Sequence, residues 1–236
     1  MRRAIELARS HRPHPNPRVG AVILGPDGTE RASGAHRERG RPHAEREALA
    51  IGGRAGDTMV VTLEPCDHDG TTPPCTDAII SSGIDRVVVG AVDPDPRVSG
   101  RGIARLRAAG VDVEVGVLAN EIERADPAYF HHRRTGRARV TLKVASTLDG
   151  QVAALDGTSR WITSPESRED VHRLRAEHDA VLVGIGTVLA DDPTLDVRTV
   201  GYDGPQPRPI VLARPAVDFD RIVFIIRAVK PPPPRM

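Results

Sequence analysis

The sequence predicts an α/β protein whose strands and helices alternate. Three observations carry this. Short β-branched runs such as Thr58–Leu63 and Arg86–Ala91 read as buried strands. Helical stretches ending at glycine lie between them, closed by Gly52-Gly53, Gly83 and Gly110. The alternation resumes after a basic, glycine-containing stretch over residues 133–137. Strands interleaved with helices imply a sheet with helices on both faces.

In order, residues 1–9 read as a short amphipathic helix. Three prolines, Pro13, Pro15 and Pro17, stop it and hold a loop. Residues 18–24 form a near-continuous apolar strand, Pro26-Asp27-Gly28 a turn, and residues 29–34 a neighbouring strand. Pro42 suits a helix's first turn, which places His43 and Glu45 in the opening turn of a helix ending at Gly52. Thr58–Leu63 delivers Glu64-Pro65-Cys66 at its C-terminal end, and a loop leads to a helix opening at Pro74 or Cys75. Strand Arg86–Ala91, a helix over 102–109 and a strand over 111–115 follow. Residues 121–132 read as helix interrupted at Pro127, and 133–137 as a solvated linker. Beyond it are expected a strand over 140–145, a helix capped by Ser164 with Pro165 first, and a strand over 180–183. A short helix and strands over 209–212 and 221–226 complete the pattern before four prolines, 231–234. Two domains are therefore expected, 1–137 and 138–236.

A net charge of +1 offers no field for nucleic acid or anionic membrane, and 3% aromatic residues leave few stacking platforms. No apolar run reaches membrane-spanning length, and residues 1–9 lack a signal peptide's apolar core. The expectation is a cytoplasmic protein with no nucleic-acid or membrane partner.

The chemistry concentrates between Pro42 and Cys75. His43, Cys66 and Cys75 supply three ligands, and catalytic zinc takes three protein ligands plus an open position. Glu45, two residues past the histidine, can move protons on the open side. Zinc deaminases of nucleobases use such a His-x-Glu … Pro-Cys … Cys arrangement. Two unconnected buried thiols are the plain alternative. A closed structural site with His68 as fourth ligand is another, but it leaves Glu45 without a role. His11, His14 and His36 read as ordinary surface or loop histidines. Gly184-x-Gly186 is by itself a weak phosphate signal.

Eight residues separate the cysteines, where the common nucleoside and nucleic-acid deaminases have two. At this point the sequence resembles the bifunctional riboflavin-biosynthesis deaminase–reductase family. The resemblance rests on Pro15-Asn16-Pro17-Arg18-Val19-Gly20, His43-Ala44-Glu45, Thr62-Leu63-Glu64-Pro65-Cys66 and the insert ending Pro73-Pro74-Cys75. Asp93-Pro94 and Gly100-Arg101-Gly102 continue it. Past the linker, Leu142-Lys143, Leu148-Asp149-Gly150, Ser159-Arg160-Trp161-Ile162-Thr163-Ser164 and the segment 186–198 match the reductase half. The match covers residues 1–212.

The resemblance implies a cytidine-deaminase-like three-layer αβα domain followed by a partial dihydrofolate-reductase-like α/β domain. It implies zinc-assisted deamination of a diaminopyrimidinone carrying a ribosylamino 5′-phosphate, with Glu45 shuttling protons. NADPH then reduces the ribosyl group to the ribityl chain. Asn16, His68 and Thr72 fall at substrate positions of the first site. Ala145, Trp161, Thr187 and Asp191 fall at NADPH positions, and Ser159, Arg175, Leu195 and Arg198 at positions holding the phosphorylated substrate of the second. A homodimer is a family expectation. Without the resemblance, Trp161 reads as a core residue and Arg175 as a solvated helix arginine.

Asp67 stands where the family usually has serine, Thr71 where it often has a basic residue, Asp95 for asparagine and Thr147 for serine. The family pattern stops near Leu212, so an active deaminase joined to an incomplete reductase is expected. The alternatives are a zinc deaminase of another nucleobase, nucleoside or tRNA, and a non-catalytic zinc-stabilised binding domain.

Overall fold

The computed structural model describes residues 1–70, 72–213 and 223–225. Thr71 and the proline run 231–234 lie outside the described residues. The chain divides into two compact units, Met1–Thr141 and Leu142–Met236.

The first unit runs α1 (Arg2–Arg9), β1 (Gly20–Leu24), β2 (Glu30–Ala35), α2 (Ala44–Ile51), β3 (Thr58–Leu63), α3 (Cys75–Ser82) and β4 (Arg86–Ala91). It continues with α4 (Arg101–Ala108), β5 (Asp112–Val115), α5 (Ala119–Ala125) and α6 (Pro127–Thr135). Its sheet has the order β2-β1-β3-β4-β5. β1 pairs antiparallel with β2 and β3, whereas β3, β4 and β5 run parallel. Helix α1 packs on α5, while α2 packs on α3 and α3 on α4, giving one helical layer per face. Covering both faces explains the apolar runs: Ala21, Ile23, Met59, Val61, Val87 and Val89 are fully buried, with Ile79 and Leu106 from the helices. Each of the larger ones contributes about 1.5–3 kcal/mol of burial.

Two glycines let helices approach closely. A Cβ on Gly34 of β2 would lie 2.4 Å from the Ala44 carbonyl oxygen, and one on Gly102 of α4 would lie 1.9 Å from the Pro65 carbonyl oxygen. These contacts seat the start of α2 against β2 and the start of α4 beside the C-terminal end of β3.

Two expectations need correction here. The second helix starts at Ala44, with extended His43 as its N-cap, rather than at Pro42. The basic stretch is not simply a solvated linker, because Arg133, Arg134 and Thr135 form the last turn of α6. Arg134 pairs with Glu123 at 2.6 Å, and Arg133 lies 3.3 Å from Asp95 with its guanidinium over the Tyr129 ring. Asp126 caps α6, and Pro127 occupies its first turn, where its missing N–H costs nothing.

The second unit contains α7 (Pro165–Ala176), β6 (Ala180–Gly184), α8 (Ile185–Asp191), β7 (Arg208–Ala213) and β8 (Val223–Ile225). Ser164 caps α7, its hydroxyl accepting from Ser167 N–H. β6 and β7 are parallel, and β8 pairs antiparallel with β7, so part of the expected strand over 221–226 forms. The expected strand over 140–145 does not form: Val140 and Leu142 are 87% and 85% exposed. An apolar segment becomes a strand only against a pairing edge, and among the described residues the three strands of this sheet pair only with one another. Among the described residues no helix is long and apolar enough to cross a membrane.

Candidate metal centre and active site

Parallel strands β3 and β4 end side by side, and the loop leaving β3 meets the β2–α2 loop to build the site. His43 sits at the N-cap of α2, Cys66 follows β3, and Cys75 is the first residue of α3. The imidazole Nδ1 of His43 lies 3.5 Å from Cys66 Sγ and 3.3 Å from Cys75 Sγ. The three ligand atoms all fall within 4.8 Å of one another. The backbone N–H of Cys75 donates to Cys66 Sγ at 3.4 Å, and Thr76 N–H donates to the Cys66 carbonyl at 3.2 Å. Across this pair, Thr76 Oγ1 donates to Asp67 at 2.7 Å, so the residues next to the two cysteines are also joined.

The Cys75 thiol, then His43, hold Cys66 down to about 4 against burial. Cys75 is pushed upward by Cys66 and by its own burial, because two bare thiolates side by side repel. A dication resolves that conflict, since coordination deprotonates thiols outright. Glu45 is buried, which pushes its carboxyl upward, and its Oε2 has no hydrogen-bond partner among the described residues. Three soft donors and a buried non-ligand carboxylate fit zinc with one open position. His68 is exposed and lies outside the three-residue cluster, so the closed four-ligand site is not what these residues form.

Asn16 reaches the site through a residue the sequence reading set aside. Its amide donates to His36 Nε2 at 3.0 Å, His36 Nδ1 donates to the Pro42 carbonyl at 3.2 Å, and the His36 ring meets His43 edge-on at 5.0 Å. This is a correction: His36 is buried, 3% exposed, and burial lowers its pKa and favours neutral imidazole. The available signal was its place at the end of β2, on the loop leading to His43. Thr72 is half-buried, with Oγ1 inside and without a partner among the described residues.

Glu64 was also missed. Its buried carboxylate accepts from the backbone N–H of Asp93, Gly100, Gly102 and Ile103 at 2.9–3.3 Å. It therefore satisfies the open donors at the start of α4 and favours the positive end of that helix dipole. Asp95 accepts from Arg97 Nε at 3.0 Å and Nη2 at 2.7 Å, and Tyr129 Oη donates to Asp93 at 3.0 Å. Asp67, besides Thr76, accepts from Arg105 Nη1 at 2.8 Å.

In the second unit Arg175 is half-buried rather than solvated, and its guanidinium donates to the Asp196 carbonyl at 2.9 Å. Arg198 lies 3.4 Å from the Asp196 carboxylate. Leu195, beside them, is buried with φ +58°. Desolvation, then the Arg198 charge, depress the Arg175 pKa. Trp161 is 69% exposed, not a core residue, and its ring carries the Arg168 guanidinium at 4.4 Å. Thr187 and Asp191 lie on exposed positions of α8, Ser159 is exposed, and Ala145 is half-buried.

Residues 1–91 match the cytidine and deoxycytidylate deaminase zinc-binding region, and residues 138–225 match the RibD C-terminal domain. Fold and site are those of a domain similar to the cytidine-deaminase zinc-binding region, followed by an α/β domain similar to the RibD C-terminal domain. Over most of its length the chain is similar to the RibD proteins of riboflavin biosynthesis, as its motifs led one to expect. It is 50% identical over 216 residues to riboflavin biosynthesis protein RibD of Aquifex aeolicus (strain VF5), covering 90% of this chain and 60% of that protein. Against the Escherichia coli (strain K12) protein of the same name the identity is 48% over 202 residues, covering 84% and 55%. The solved structure of Acinetobacter baumannii RibD, form 1, superimposes with TM-score 0.85 at 41% identity, over 92% of this chain and 63% of that one. A Thermotoga maritima diaminohydroxyphosphoribosylaminopyrimidine deaminase/5-amino-6-(5-phosphoribosylamino)uracil reductase gives 0.84 at 45% identity, with coverage of 92% and 63%. The chain thus spans 55–60% of the length of these curated relatives.

Proposed function

We propose that the chain catalyses the deamination step of riboflavin biosynthesis, on a diaminopyrimidinone bearing a ribosylamino 5′-phosphate. The observation that carries this reading is the convergence of His43 Nδ1, Cys66 Sγ and Cys75 Sγ beside the buried Glu45 carboxylate. His43, Cys66 and Cys75 would hold zinc, which when bound lowers the pKa of its water and makes a nucleophile available near neutrality. Glu45 takes a proton at its carboxylate and returns it to the departing amine, so that ammonia leaves as a neutral molecule. Asn16, oriented through His36, meets the pyrimidine edge. Thr72 and His68, on the loop between the cysteines, face the substrate's sugar and phosphate side.

In the same reading, residues 1–137 form the deaminase and 138–236 the reductase domain. Ala145, Trp161, Thr187 and Asp191 contact NADPH. Ser159, Leu195, Arg175 and Arg198 take the phosphorylated product of the first step. What supports the last assignment is two guanidiniums gathered around Asp196, one of them desolvated, since guanidinium forks suit phosphate. A cytoplasmic homodimer completes the proposal.

The test is ammonia release by the zinc-loaded chain from the diaminopyrimidinone phosphate. Activity in Glu45→Gln equal to the native chain would sink the deaminase reading. NADPH oxidation with the deaminated product tests the reductase reading separately.

A further inference from the structure

The deaminase reading uses His43 and Glu45 from the opening turn of α2 and leaves the next residue, Arg46, without a role. Arg46 sits in the first turn of that helix, where a cation has the wrong sign for the helix dipole. Something specific must offset that. The guanidinium forks onto two successive carbonyls: Nε donates to Pro73 O at 3.1 Å and Nη2 to Pro74 O at 2.9 Å. The side chain is half-buried, so the contact is more than a solvent-exposed arm.

Those two carbonyls immediately precede Cys75. Proline fixes φ but leaves ψ open, and ψ sets where the carbonyl points. It also has no N–H, so neither residue can anchor itself as a backbone donor. Pro74 is the N-cap of α3, and no side-chain cap bond holds it. As N-cap, Pro74 already offers its carbonyl to the first intrahelical bond, and the Arg46 fork adds a second tie there and one on Pro73, restricting the segment that aims Cys75 Sγ. The other side of the loop is held independently, by Cys75 N–H on Cys66 Sγ and Thr76 on Asp67.

We propose that Arg46 is a positioning residue for the metal centre: its fork locks Pro73-Pro74 to the helix turn that carries His43 and Glu45, and so presets Cys75 for zinc. One side chain thereby fixes the distance between the ligand on α2 and the ligand on α3. This rests on the zinc-site reading. Lysine replaces it only in part, because a single ammonium lacks the guanidinium's preorganised fork for two carbonyls.

The test measures zinc affinity of the full chain by competition with a chromophoric chelator, and the visible absorption of the Co2+-substituted chain. Arg46→Met keeps much of the aliphatic stem and removes the donors. It is expected to bind zinc about 10–100-fold more weakly, the range for residues that orient metal ligands, and to show a shifted, weaker Co2+ band. Thermal unfolding of the metal-free chain should move far less, which separates positioning from general stability. Arg46→Lys should lie between. Native affinity and a native Co2+ spectrum in folded Arg46→Met overturn the inference. If Arg46→Met does not fold, the same native values in Arg46→Lys overturn it. A native chain that takes up no zinc sinks the metal site and the inference together, whereas a native chain that binds zinc as its variants do sinks the inference alone.

Discussion

The backbone N–H of Gly102 donates to the Glu64 carboxylate at 3.0 Å, so the start of α4 is tied to the residue two before Cys66. Truncating Glu64 to alanine leaves the N–H groups of Asp93, Gly100, Gly102 and Ile103 facing a buried space. The expected cost is about 3 kcal/mol or more. Urea unfolding at neutral pH measures it, and a shift under about 1 kcal/mol would contradict this account of Glu64.

Asp95 supplies a pH prediction. Hydrogen bonds from Arg97 hold its folded pKa at about 2, below the ordinary 3.8. A depressed folded pKa means the unfolded chain takes the proton first as pH falls. The contribution is thus complete above about pH 4 and fades as pH drops towards 2. Arg97 is largely exposed, so solvent screening keeps the contribution small. The difference in unfolding free energy between the native chain and Asp95→Asn should be constant from pH 5 to 7 and shrink below pH 4. A difference that grows with acid has the wrong sign for this ion pair.

Metal binding and proton transfer are separable. Glu45→Gln should keep stoichiometric zinc, because the proposed ligands are His43, Cys66 and Cys75, yet lose about 100-fold or more of ammonia release. Cys75→Ser should lose zinc as well as activity. Chelation of the native chain should abolish ammonia release and lower the melting temperature, and restored zinc should recover both. Metal analysis beside the activity assay distinguishes these cases.

Arg198→Met tests the second unit. If Arg198 and Arg175 grip a phosphate, the variant should raise the KM of the reductase step about tenfold or more with a smaller change in kcat. Equal KM values would remove Arg198 from the substrate site.

The clustering of His43, Cys66 and Cys75 and the first unit's strands could be read from the chain for the same reason. β-branched runs such as Thr58–Leu63 and the pairing of His43-x-Glu45 with Pro65-Cys66 are local patterns. Burial and partnership are not local. His36 looked like any loop histidine until β2 brought it against His43. The donors to Glu64 come from 29–39 residues further along. Arg133 and Arg134 carry the same charges whether solvated or paired, so only the packing of α6 tells them apart. The segment 140–145 shows the converse: its apolar residues suggested a strand, but apolarity does not supply a pairing edge.

The pairing of Arg133 with Asp95 has a practical side. Helix α6 looks like a passage out of the first unit, yet its last turn grips a loop that begins just after β4. Tyr129, on the same helix, holds Asp93 of that loop. An excised deaminase fragment ending before Pro127 would therefore lose both grips together with Tyr129 and Phe130, which are buried in the core of the first unit. The two compact units divide after Thr141, and a fragment meant for separate expression should be cut there.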